Sequence, residues 1–193
     1  PAAAALVVGA LGKDDRKALR LAHTQLRDAV AEATSKLVAD FEVSPVARSP
    51  TPRRWPRLEK LRLVGPDFAP LEALGAETWG RLRTLSLEYR DNPVLDAPAT
   101  RALAAALRRM PALEALYLLG ATIPDASAGE LFRADVAPRM RVLMLGDVDL
   151  TPTAARLLAA TGWRLDKLGL HSCLDLGSAG VAALVAAPTF APR

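Results

Sequence analysis

An α/β solenoid of about five strand–helix units, preceded by a small helical segment, is the architecture this sequence predicts. The first observation behind it is a repeat. The pattern Leu-x-x-Leu-x-Leu occurs at Leu58/Leu61/Leu63, Leu82/Leu85/Leu87, Leu113/Leu116/Leu118 and Leu165/Leu168/Leu170, and with methionine leading at Met140/Leu143/Leu145. Successive starts lie 24, 31, 27 and 25 residues apart. The second is a change of hydrophobic period from two to helical spacing between these segments. The third is a large side chain at one recurring slot. Trp55 and Trp79 lie three residues before the first leucine of a unit, Met110 takes that place in the third, and Trp163 lies two residues before Leu165. Each tryptophan is expected to plug the junction of helix and strand rather than to stack on a ligand.

Residues 1–42 lack the repeat and are expected to be helical. Asp14 or Asp15 is placed to cap a helix whose apolar stripe runs through Ala18, Leu19, Ala22, Leu26, Ala29, Val30, Ala33, Leu37 and Phe41. Residues 43–56 form a Pro/Arg-rich linker, with prolines at 45, 50, 52 and 56. Residues 57–193 form the solenoid. In each short strand, alternation sends the second and third leucines inward, and stacking of neighbours joins them into one core. Helices return the chain at about Pro70–Ala76, after the Asp96-Ala97-Pro98 cap, around Ser127–Ala134, after Thr151-Pro152, and from Gly177-Ser178 into Val181, Leu184 and Val185. Pro111 stops the second of these, and Gly162 takes a left-handed position after the fourth.

Composition narrows the functional classes. Hydrophobic residues are 51%, charged residues 24% and aromatics 5% of 193 residues, a globular balance with an aliphatic core. The longest apolar run, Ala2–Leu11, is interrupted by Gly9 and is too short to span a bilayer, so no membrane partner is expected. That run also lacks the basic stretch and cleavage site of a secretory signal, and the start at Pro1 suggests a fragment or a processed product. A single cysteine, Cys173, allows no internal disulfide, which points to a reducing compartment, cytoplasmic or nuclear. Net charge is +4. The basic cluster Arg48, Arg53, Arg54, Arg57, Lys60 and Arg62 faces a lone Glu59 and reads as a solvated linker, because no stacking aromatics accompany it; nucleic acid is not the expected partner.

From Trp55 to about Pro188 the chain resembles the leucine-rich repeat family, especially the ribonuclease-inhibitor-like class, on the repeats quoted above. The nearest match is Leu165-Asp166-Lys167-Leu168-Gly169-Leu170-His171-Ser172-Cys173 followed by Gly180-Val181-Ala182-Ala183-Leu184, with Cys173 where the family places Asn or Cys. In the other units that slot holds Pro66, Arg90, Ala121 and Val148, so their turns must satisfy backbone groups by other means. Residues 11–30 resemble the second half of an F-box, with Ala22-His23 in place of its Val-Cys pair and Leu26-Arg27 in place of its aromatic-Arg pair. That resemblance implies a substrate receptor of a ubiquitin ligase, in which Leu11, Leu19, Leu21, Leu26 and Val30 dock on a Skp1-like adaptor. The alternative is a repeat scaffold or regulatory binder whose N-terminal helices only cap the solenoid.

Catalysis is not expected. No Gly-rich phosphate loop is present, and two histidines, His23 and His171, with one cysteine leave no set of three or four His/Cys metal ligands. His171 and Cys173, two apart, read as a turn residue and a buried repeat cysteine rather than a nucleophile pair. No cofactor is implied. In-register stacking would place the outward side chains in columns on a concave face: Lys60, Thr84, Ala115, Val142, Lys167; then Arg62, Ser86, Tyr117, Met144, Gly169; then Val64, Glu88, Leu119, Gly146, His171. Its apolar middle (Tyr117, Leu119, Val142, Met144) with polar flanks (Arg62, Ser86, Glu88, His171) is the pattern of a protein-docking surface.

Overall fold

A computed structural model of the chain describes residues 35–40, 51–53, 55–65, 68, 70–133 and 135–187. Its elements run β1 (Lys36–Asp40), β2 (Lys60–Gly65), α1 (Pro70–Ala76), β3 (Thr84–Tyr89), α2 (Ala97–Arg108), β4 (Ala115–Leu119), α3 (Asp125–Leu131), β5 (Val142–Gly146), α4 (Pro152–Ala159), β6 (Lys167–His171), a 3-10 turn at Leu174–Leu176 and α5 (Gly177–Val185). The six strands make one parallel sheet in the order β1-β2-β3-β4-β5-β6. Consecutive helices pack on one another, so the fold is an open, solenoid-like stack of strand–helix units.

The leucines explain the stack. Leu61, Leu63, Leu85, Leu87, Leu116, Leu118, Leu143 and Leu145 are all buried, while the residues between them on β2 to β5 are half-buried or exposed. The leading residues Leu58, Leu82, Leu113 and Met140 are buried as well. Helix residues Leu74, Leu103, Leu107, Leu131 and Leu158 belong to the same apolar cluster, so the helices lie against the leucine side of the sheet. Each fully buried leucine contributes about 1.5–3 kcal/mol relative to exposure, and no single unit could bury its own set.

Backbone pairing is equally regular. The carbonyl just before each of β1 to β5 accepts two N–H groups from the next unit: Ser35 O from Glu59 and Lys60, Glu59 O from Arg83 and Thr84, Arg83 O from Glu114 and Ala115, Glu114 O from Arg141 and Val142, Arg141 O from Asp166 and Lys167. Past the strands, around the turn positions Ala121 and Val148, backbone groups serve each other. Gly120 N donates to Gly146 O and Asp147 N to His171 O, both at 2.8 Å. Thr122 N donates to Pro93 O, and Leu95 N donates to Thr122 O. Ala121 and Val148 are then free to fill the core, fully buried. Ser127 and Thr100 hydroxyls, also buried, donate to Leu95 O at 2.6 and 3.2 Å.

Helix ends follow the sequence closely. Asp96 Oδ1 accepts from Ala99 N at 2.9 Å and Thr151 Oγ1 from Ala154 N at 3.1 Å, with proline in the first turn of both helices. Gly162 has φ +73°, and α1 spans the expected residues. Trp55, Trp79, Met110 and Trp163 are buried, as junction plugs must be. Trp79 Nε1 donates to Leu74 O at 3.1 Å, and Trp163 meets Phe132 edge-on with centroids 6.2 Å apart.

Two expectations need correction. Residues 36–40, expected at the end of a helical segment spanning 1–42, are a strand, paired Lys36 to Lys60 through Asp40 to Val64. A free sheet edge on β2 outweighs local helical periodicity, because parallel pairing satisfies backbone groups that a helix would otherwise leave to water. Consequently the 43–56 segment connects two strands of one sheet and is not a linker between domains, and its Trp55 already belongs to the first unit. The last helix lies where expected, and of Val181, Leu184 and Val185 only Leu184 is buried; Val181 and Val185 are 48% and 79% exposed, since α5 turns Gly180 and Leu184 toward its neighbour and no further helix covers its other side among the described residues.

Gly120 (φ +67°) lies so near β3 that an added Cβ would overlap Tyr89 O, whereas Gly162 has open space around it. Gly120→Ala should therefore cost about 3 kcal/mol and Gly162→Ala about 1 kcal/mol, checked by urea unfolding; equal costs would contradict the packing described. Trp163 Nε1 is buried without an acceptor among the described residues. Trp79→Phe, which strands the Leu74 carbonyl, should thus cost about 1–3 kcal/mol more than Trp163→Phe in the same assay.

Candidate functional site

The face of the sheet away from the helices holds the columns the sequence predicts. Register pairs Lys60, Thr84, Ala115, Val142 and Lys167; then Arg62, Ser86, Tyr117, Met144 and Gly169; then Val64, Glu88, Leu119, Gly146 and His171. Neighbours within a column are one strand spacing apart, about 4.8 Å. Lys36, Val38 and Asp40 occupy the matching register positions on β1. Sequence reasoning missed this strand because it carries one leucine. The available signal was its offset, 24 residues before β2, the same as from β2 to β3.

Chemically the face has two halves. On β2 and β3, Arg62 grips Glu88 with both arms, Nε to Oε1 at 2.7 Å and Nη2 to Oε2 at 2.6 Å, and Ser86 Oγ donates to Oε1 at 3.2 Å. Hydrogen bonding of the Arg62 guanidinium to Glu88, then the charge of Glu88, raises the Arg62 pKa above its ordinary value. Both residues retain water contact, so the pair contributes orientation more than stability. With Lys60, Thr84 and Tyr117 they line a shallow depression of about 260 Å³.

On β4 and β5 the surface is apolar. Tyr117, Leu119, Val142 and Met144 are each half-buried, neither sunk in the core nor fully solvated. Leu119 lies over Gly146 and Met144 over Gly169, where any larger side chain would collide. The two glycines thus let adjoining side chains lie flat and merge into one apolar surface, with His171 exposed at its rim.

Cys173 and His171 do not form a pair. Ser172 between them takes φ +53°, which ends the strand. The Cys173 Sγ lies 3.7 Å from Leu145 O and 3.6 Å from His171 O, with S–H donation to these carbonyls. Burial raises its pKa, against a smaller lowering by backbone contacts, so the thiol stays protonated and serves the turn. No cluster of three or more His, Cys, Asp or Glu side chains with metal-binding geometry occurs among the described residues. No helix among them is long and apolar enough to cross a membrane. Leu11, Leu19, Leu21, Leu26 and Val30 lie outside the described residues. No protein-family model matches the chain, and no curated protein matches it.

At pH 8 iodoacetamide should alkylate Cys173 several-fold more slowly than a free cysteine peptide, measured by mass spectrometry, because its thiolate fraction is suppressed. Alkylation at the peptide rate would contradict the raised pKa.

Proposed function

We propose that the chain is a leucine-rich repeat module of the ribonuclease-inhibitor-like kind that acts by binding a protein on the helix-free face of its sheet, without catalysis. One observation carries this reading: an apolar surface of Tyr117, Leu119, Val142 and Met144, held at half-exposure across β4 and β5 and flanked by the Arg62–Glu88 pair. A protein interface has this make-up, with aromatic and sulfur-bearing anchors at the centre and oriented charge at the border. Repeat period, parallel register and buried leucines support the family assignment.

Within this class, the F-box-like stretch 11–30 supports a substrate receptor of a ubiquitin ligase, in which the segment engages a Skp1-like adaptor. The strand β1 favours the alternative of a scaffold whose N-terminal segment closes the stack, because the chain just after that stretch is already a member of the sheet.

Purified chain mixed with purified adaptor separates the two. Co-elution on size exclusion that Leu19→Glu and Leu26→Glu abolish supports the receptor; failure of the unaltered chain to co-elute removes it and leaves the scaffold. For the shared claim, Tyr117→Glu combined with Met144→Glu should eliminate capture of a cognate protein by at least about tenfold in affinity while circular dichroism is unchanged. Undiminished capture would overturn it.

A further inference from the structure

A second charged pattern lies on a different border of the sheet, where the chain enters each strand. Four units enter through the same turn, in which the N–H of the leading Leu or Met donates to the carbonyl three residues back: Leu58 to Trp55, Leu82 to Trp79, Leu113 to Met110 and Met140 to Ala137. The second position of these turns is Pro56, Gly80, Pro111 or Pro138, residue types suited to a tight turn, and the third is Arg57, Arg81, Ala112 or Arg139. In the fifth unit Arg164 directly precedes Leu165. One repeat position therefore carries arginine in four of five units.

All four arginines are exposed. None forms an ion pair among the described residues, although acidic groups stand close by. Those are already engaged: Glu114 with Arg83 at 2.8 Å, Asp166 with Arg141 at 2.9 Å, and Glu77 with Arg53 at 3.7 Å. Among the described residues only Glu59 on this border lacks such a partner, so the row has a clear positive excess. Arg57 and Arg81, and likewise Arg139 and Arg164, stand three residues before the register pairs Lys60/Thr84 and Val142/Lys167, so each pair holds equivalent positions on adjacent units. Like charges on adjacent units repel, and a stack that holds them together gains from an anion laid across them. Between the last two units the border opens into a cleft of about 530 Å³, lined among others by Arg139, Arg141, Arg164 and Glu114.

We propose that this turn border is a docking track for an extended Asp/Glu-rich segment of a partner protein, running across the stack from Arg57 to Arg164. Two features favour carboxylates over nucleic acid. Trp55, Trp79 and Trp163 beside the turns are buried and offer no ring on which bases stack. The position beside the arginines alternates in sign, Glu59, Arg83, Glu114, Arg141 and Asp166, with its last four members paired to one another, so the border presents separate guanidinium forks rather than one continuous basic groove, and such forks fit side-chain carboxylates two oxygens at a time. The track is distinct from the helix-free face and does not rest on the function proposed for it.

Fluorescence anisotropy with the 193-residue chain and a fluorescein-labelled oligoglutamate about ten residues long tests this, at about 50 mM salt. Binding should weaken as salt rises, and joint replacement Arg57→Glu, Arg81→Glu, Arg139→Glu and Arg164→Glu should reduce affinity at least about tenfold. Replacement of the same four by Gln, which adds no new repulsion, should still reduce it. Tyr117→Glu with Met144→Glu should leave it unchanged. Absence of binding, indifference to either fourfold replacement, or tighter binding of an oligothymidine of equal charge would each overturn the proposal.

Discussion

Everything in this molecule depends on one repeated contact. From β1 to β5 the carbonyl at the entry to the strand accepts two amides from the following unit, and the leucines immediately downstream are thereby set side by side. Neither half of the contact stands alone. A short parallel strand without a neighbour exposes its backbone groups, and a row of leucines without the strand beneath it has no fixed direction. Parallel pairing in chain order makes every unit's stability conditional on the next, which is why the apolar cluster runs unbroken from Trp55 to Leu184.

That constraint also creates the surfaces available for binding. Because side chains alternate along a strand, a leucine side sunk into the core obliges the opposite side to be a set of columns open to solvent. What fills those columns is not dictated by the fold. The chain puts a bidentate Arg62–Glu88 pair on β2 and β3 and an apolar surface of Tyr117, Leu119, Val142 and Met144 on β4 and β5, using Gly146 and Gly169 to let large neighbours lie flat. The entry turns likewise need a compact second residue but leave the third free, and arginine occupies it repeatedly.

Much of this was legible in the sequence for physical reasons that can be named. Strand periodicity with a strong hydrophobic spacing identified β2 to β6 and their register, and the caps Asp96 and Thr151 marked helix starts because an N-terminal turn needs a side-chain acceptor. The strand β1 was not legible: Lys-Leu-Val-Ala-Asp has one leucine, and its conformation is decided by the edge of β2, a partner distant in sequence. The position of α5 was legible but not its exposure, since apolar residues such as Val181 have nothing beside them among the described residues. The columns were readable as soon as the repeats were aligned, but the engagement of Arg62 with Glu88, or of Arg83 with Glu114, follows from side-chain reach that spacing alone does not reveal.

The in-register parallel ladder is most directly tested by backbone nuclear Overhauser contacts in solution. The account predicts interstrand contacts of the parallel type that link Leu85 to Leu116, Leu116 to Leu143 and Leu143 to Leu168, each strand to the one that follows it in the chain. Antiparallel patterns, a different strand order, or contacts confined within single units would contradict it.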